Sequence, residues 1–182
     1  MEAKAAIFER RTIHLFEPKK VEEKIVEEAI MAANQAPCHR LTFPWRFYSV
    51  GSNKRNQILN LAIEIKHQYK KKEENSINIL RTKYQNPSHL LVAGQLLNKD
   101  ELIQKEDYAA CSCAIQNLSI SLASNGVNSK WSTGSITRNP KIYQITEIDM
   151  RYEEIIGFIW VGYGEKLKEI IRPKLNDIYK II

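Results

Sequence analysis

Glycine and cysteine are both scarce in this chain, and each scarcity excludes a class of function. Only seven glycines occur in 182 residues. None of them forms GxGxxG or GxxxxGK[ST], so neither a dinucleotide fingerprint nor a phosphate-cradling loop is present. Three cysteines, an odd number, build no disulfide framework. Cys111 and Cys113 stand two apart in a helical stretch and point to roughly opposite faces, so they cannot share a metal. Both are expected as small buried packing residues. No metal-ligand spacing appears elsewhere. Long apolar runs are missing too. Phe158–Val161, extended by Ile155, Ile156 and Gly157, falls far short of the roughly 20 residues that span a bilayer. The opening MEAKAAIFERRT mixes charges into its apolar positions and has no signal-peptide core. A cytoplasmic protein without a membrane partner is expected.

Positive charge is in excess, with a net +6. Its densest cluster, Lys66 with Lys70, Lys71 and Lys72, runs at once into Glu73 and Glu74. Mixed signs of this kind mark a solvated helix face. No zinc-finger, RNA-binding-sheet or helix-turn-helix pattern supports a nucleic-acid partner. A basic surface that attracts anionic cofactors is the better use of the same charge. With 43% apolar and 26% charged residues, residues 1–182 read as a single domain with a sizeable core.

The stretch that organises the chain is DYAACSCAIQNLSISLASNGVNSKWSTG, Asp107 to Gly134. Apolar residues occupy nearly every helical face up to Asn125, which predicts a helix buried on all sides. Asp107 is expected in its first turn, complementing the exposed N–H groups. Asn125-Gly126 supplies a left-handed stop. Val127–Trp131 then reads as extended, and Ser132-Thr133-Gly134 as a tight polar turn.

Before this stretch, Glu2–Glu9 and Val21–Asn34 read as helices and Arg46–Val50 as a strand. Asn53 to about Lys72 is a long helix with Ile58, Leu61, Ala62, Ile65 and Tyr69 inward. Residues 73–87 read as a polar, mobile connection with a helical piece around Ile77–Tyr84, and Ser88–Leu97 as a buried strand. Beyond it, Asn139-Pro140 starts a short helix and Glu153–Gly162 is a strand apolar on both faces, hence central. The tail from Glu165 is helix-like around Arg172-Pro173 and ends in apolar residues that must pack somewhere, a partner subunit being one place. Helices on both faces of a mixed sheet fit this order.

Candidate site residues follow from chemistry. Arg10-Arg11-Thr12, two guanidiniums and a hydroxyl beside a helix end, form a good anion site, although adjacent arginines also read as an exposed surface pair. His39, on the loop that Pro37 opens, reads either as a ligand donor or as a plain surface histidine.

In combination these markers resemble one family. Arg10-Arg11-Thr12 follows the first helix, and Ala36-Pro37 and Pro44-Trp45 lead into the first strand. Gln116-Asn117-Leu118 lies in the central helix, with Gly126 and Trp131-Ser132-Thr133-Gly134 after it. Gly157, Gly162 and Arg172-Pro173 complete the order. The chain resembles the FMN-dependent nitroreductases over nearly its whole length. That resemblance implies an α+β fold: a mixed, mostly antiparallel central sheet flanked by helices in three layers, forming an intertwined homodimer with flavin at the interface. The tail, about 165–182, would pack on the partner. The resemblance also implies that Arg10, Arg11 and Thr12 hold the FMN phosphate and the polar flavin edge, with Arg172 as a further phosphate ligand. Ser132, Thr133 and Gly134 would close on the cofactor, and Gln35 and His39 would reach it across the interface. Where many members carry Ala-Pro-Ser, then Asn and Gln before Pro-Trp, this chain has Cys38, Leu41 and Phe43, which points to the short branch with a histidine in this loop. The implied activity is ping-pong reduction of nitroaromatics, quinones or similar small electron-poor acceptors by NAD(P)H through FMN, with no catalytic side chain. A dehalogenase or enoate-type reductase on the same scaffold, and a non-enzymatic flavin-binding protein, are the alternatives.

Overall fold

Four antiparallel strands form one sheet in the order β1-β2-β4-β3, in a computed structural model that describes residues 2–69, 74–165 and 170–182. The strands are β1 (Trp45–Ser49), β2 (His89–Leu96), β3 (Asn128–Ser132) and β4 (Glu153–Gly162). As its apolar sequence predicts, β4 is central and buried along nearly its whole length. The single parallel contact among the described residues is an isolated bridge between Thr12 and Ser129, which fastens the segment after the first helix to the free edge of β3.

Helices cover both faces. The helices α1 (Ala3–Glu9), α2 (Glu23–Ala33) and α5 (Glu101–Ser124) lie on one side. There Val26, Ala29, Ala114, Leu118 and Leu122 pack with Leu91, Ile159 and Val161 from the sheet. On the other side are α3 (Ser52–Tyr69), α4 (Glu74–Gln85), a 3-10 turn (Ser135–Arg138) and α6 (Pro140–Thr146). Ile58, Leu61, Tyr84 and Ile142 there cover Leu90, Val92, Phe158 and Trp160. Two cores, one on each face, are what a sheet buried on both sides requires.

Differences from the sequence reading have identifiable causes. The central helix α5 starts at Glu101, capped by Asp100, whose carboxylate accepts from the N–H groups of Leu102 and Ile103. Asp107 is therefore mid-helix and buried, and accepts a 2.5 Å hydrogen bond from the Thr42 hydroxyl. The first turns of α5 are polar because they are largely exposed, and that polarity hid them. Within one chain α5 buries one face, while Leu102, Tyr108 and Cys113 remain exposed. Cys111 is buried as expected; Cys113 is not. Gly126 ends the helix at φ 71°, as Asn125-Gly126 predicts. Most of the expected connection at 73–87 is helical, since α4 carries Leu80 and Tyr84 onto the second core. Lys70, Lys71, Lys72 and Glu73 lie outside the described residues, as does the Tyr69 side chain. In the tail, α7 (Leu175–Ile178) follows Pro173, and Ile171, Leu175, Ile178 and Ile182 are exposed. No described helix is long and apolar enough to cross a membrane.

Candidate functional site

Residues 10–13 leave the end of α1 without helical structure, tied at Thr12 to β3, and the chain bends at His14. At one end Arg10 and Arg11 line a narrow cleft of about 50 Å³ with Ser119, Gly126 and Ser129. The Arg10 Nε is buried without a partner. Its guanidinium is pushed below the ordinary arginine range, first by burial, then by the charges of Arg172 and Arg11. Arg172, an exposed residue from the far tail, thus comes close enough to complete a trio of guanidiniums. Arg11 donates to the carbonyls of Phe8 and Arg10, which steadies it beside the helix end. Glu9 also lines this cleft.

At the other end lies a larger cavity, about 380 Å³. Phe158 and Trp160 of β4, with Tyr84, Leu80 and Ile65, supply its apolar wall. Ser132, Gly134 and Ser135 border it from the turn after β3, and Lys66 and Lys83 from the helices opposite. Register puts Lys130 beside Trp160 and Ser132 beside Phe158, so both side chains share the cavity's face of the sheet. The Lys130 Nζ lies 2.9 Å from His14 Nδ1. Four cationic or protonatable groups are therefore gathered here: His14, Lys66, Lys83 and Lys130. Lys83 is held below the ordinary lysine range by burial and then by Lys66. Lys130 is lowered by burial and then by Lys83.

None of these cations joins any of the four ion pairs found among the described residues, and neither does Arg10, Arg11 or Arg172. Apart from Glu9, no carboxylate among the described residues lines either the cleft or the cavity, and gathering like charges in this way is unfavourable in the empty protein. It becomes favourable when an anion arrives.

The remaining sequence candidates either border the cavity or lie apart from both clusters. Ser132 is half-buried and Thr133 and Gly134 are exposed. Their turn is pinned by Thr137, whose hydroxyl donates to the Gly134 carbonyl at 2.9 Å, and by Arg138, which donates to the Thr133 carbonyl at 3.2 Å. Gln35 lines a separate open pocket with Ala32, Asn117 and Ser121, and His39 is exposed on its loop. Within one chain these two do not meet the arginines or the turn. Trp131 turns to the opposite face, its indole lying against Gly157, where an added Cβ would come within 2.2 Å of Nε1. It is partly buried against the first core. Sequence reading missed His14, Lys83 and Lys130, and took Lys66 for a solvated residue. No local pattern marks them, because three elements and a loop must fold before they meet.

A family model for the nitroreductase family matches residues 7–163. The chain belongs to that family. It is 30% identical over 164 residues to YfhC of Bacillus subtilis (strain 168), which bears a provisional NAD(P)H nitroreductase name; the match covers 88% of this chain and 84% of that one. A nitroreductase-like family protein from Bacillus cereus superposes with a TM-score of 0.85 at 22% identity, over 100% of this chain and 96% of its own. A nitroreductase with bound FMN from Bacteroides fragilis NCTC 9343 gives a TM-score of 0.76 at 19% identity, over 100% and 99% of the two chains. The structural likenesses extend over the whole chain and fix the nitroreductase-like α+β fold.

Proposed function

We propose that the chain is an FMN-dependent NAD(P)H oxidoreductase that passes electrons to nitroaromatics, quinones or related electron-poor acceptors. The observation that carries this reading is the pair of cation clusters, at Arg10 and at His14, joined by one short segment. Four residue steps separate Arg10 from His14, a reach of at most roughly 13 Å at a strand's rise of about 3.3 Å per residue. A ligand matching both ends has a dianionic phosphate at one and an electron-withdrawing heterocycle at the other, with a flexible polar spacer between. FMN has this form. Riboflavin lacks the first feature.

The orphaned Arg10 Nε and the convergence of Arg172 suit a phosphate, which takes several charge-assisted hydrogen bonds at once. Thr12 adds a hydroxyl on the same segment. Lys83, Lys130 and His14 place positive charge and donors at the far end, where Ser132, Thr133 and Gly134 border the cavity. When bound, FMN supplies hydride transfer; the protein's part is to bind, orient and set the local field. Positive charge at the pyrimidine edge favours negative charge arriving there. No side chain is needed as a nucleophile.

Gln35 and His39 fit this site only from a second subunit, and the exposed apolar surface supports a homodimer. Phe8, Met31, Leu41, Phe43, Leu102 and Tyr108, with Ile171 and Ile182 of the tail, are all exposed in one chain. So much large apolar surface marks an interface. Light scattering should give twice the 21.1 kDa of the chain.

The test of function is the visible spectrum of the purified protein with FMN, before and after NADPH is added without oxygen. Flavin bands that bleach support the reductase. Bands that persist with both NADPH and NADH would make the protein a flavin carrier.

A further inference from the structure

The contact between His14 and Lys130 fixes more than a charge, and its meaning for the ligand rests on the FMN reading proposed above. An ammonium has three donors and no lone pair. With Lys130 Nζ 2.9 Å from His14 Nδ1, Nδ1 is the acceptor, so the ring proton sits on Nε2. Protonating Nδ1 would set two N–H donors and two like charges against each other. The groups bearing on His14 are all basic: Lys130 from β3 acts first, then partial burial, then Lys83 from α4. None of the three side chains has a carboxylate partner among the described residues.

We propose that Lys130 is a positioning residue that locks His14 as a neutral Nε2–H donor for a carbonyl of the flavin's pyrimidine edge. Charge and direction are then divided between different side chains. Lys83 and Lys130 supply the positive field. His14 supplies one directional hydrogen bond whose donor does not change as the medium moves through neutral pH. A histidine left to itself would titrate there.

Imidazole 15N shifts of the flavin-free protein, followed from about pH 5 to 8, read the lock directly. The expected result is an unprotonated Nδ1 and a protonated Nε2, with titration below the ordinary midpoint. In Lys130→Met the midpoint should rise towards about 6.5, with mixed tautomers. FMN titrations then read the donor. His14→Gln keeps a neutral donor at similar reach and should stay within about twofold of wild type. His14→Phe should bind about fivefold to tenfold more weakly, the loss of one hydrogen bond. His14→Lys should bind no better than His14→Gln.

Tighter binding by His14→Lys than by His14→Gln would overturn the proposal, because charge would then be what the position supplies. A protonated Nδ1 in wild type at neutral pH would also overturn it. If wild type bound no FMN, the cofactor reading itself would fall, and the donor role with it. That outcome is separate from one in which FMN binds and the His14 variants are indistinguishable, which would overturn the donor role alone.

Discussion

The two ends of the segment at residues 10–14 hold similar charge but are built in opposite ways. Two of the three guanidiniums at one end are neighbours in sequence, and only Arg172 arrives from elsewhere. At the other end His14 comes from the segment itself, Lys66 from α3, Lys83 from α4 and Lys130 from β3. The first end is a local motif that the fold positions. The second exists only because the fold exists. Their surroundings differ as well: the arginines line a narrow cleft with Glu9, Ser119 and Ser129, whereas Lys66 and Lys83 border a larger cavity walled by Phe158 and Trp160. Planar, always-charged guanidiniums suit a small dianion, and amines beside aromatic walls suit a heterocycle.

Mutations separate the two ends. The largest loss should come from Arg10→Ala combined with Arg11→Ala: FMN affinity falls by about two to three orders of magnitude, since each charged hydrogen bond is worth about 1.5–3 kcal/mol. Riboflavin affinity should hardly change. An FMN affinity that survived the double change would break the division between phosphate end and ring end. Lys83→Met should act at the other end, weakening FMN and riboflavin alike by about tenfold. The same substitution should raise the melting temperature of the flavin-free protein, because it removes a half-buried ammonium that joins no ion pair among the described residues. A melting temperature that fell would mean Lys83 is structural.

Gly157→Ala tests the framework rather than the ligand contacts. The new methyl would collide with the Trp131 indole, at about 1–3 kcal/mol for overpacking. Thermal unfolding should register it, and flavin affinity at low temperature should shift less than in either cation variant. Arg172→Ala should have the smallest effect, about twofold to fivefold on FMN, because the residue is exposed and solvent screens it. Isothermal titration across these variants would rank them.

Legibility in the sequence divides along the same contrast. The central strand Glu153–Gly162 was readable to its ends, because a strand apolar on both faces has no competing period. Gly126 was readable as a helix stop, since an Asn-Gly pair at the end of an apolar run has few other uses. The start of α5 was not, because its first turns carry the polar residues of an exposed helix end and Asp100 caps it six residues or more before the apolar run. Residues 74–85 looked like a connection because only a few apolar side chains, Leu80 and Tyr84 among them, hold that helix to the core. Among site residues, Arg10 and Arg11 stood out as a pair. Lys83 and Lys130 are 47 positions apart and have no pattern in common; only the fold brings them close enough for their charges to act on each other.

The most direct measurement is a parallel titration of the flavin-free protein with FMN and with riboflavin, followed by flavin fluorescence. A site with a phosphate cluster at one end and a ring cluster at the other predicts FMN binding at least about a hundredfold tighter, the difference supplied by the guanidinium end. Equal affinity for the two flavins would contradict the role given to Arg10, Arg11 and Arg172, and would leave the apolar cavity as the whole of the site.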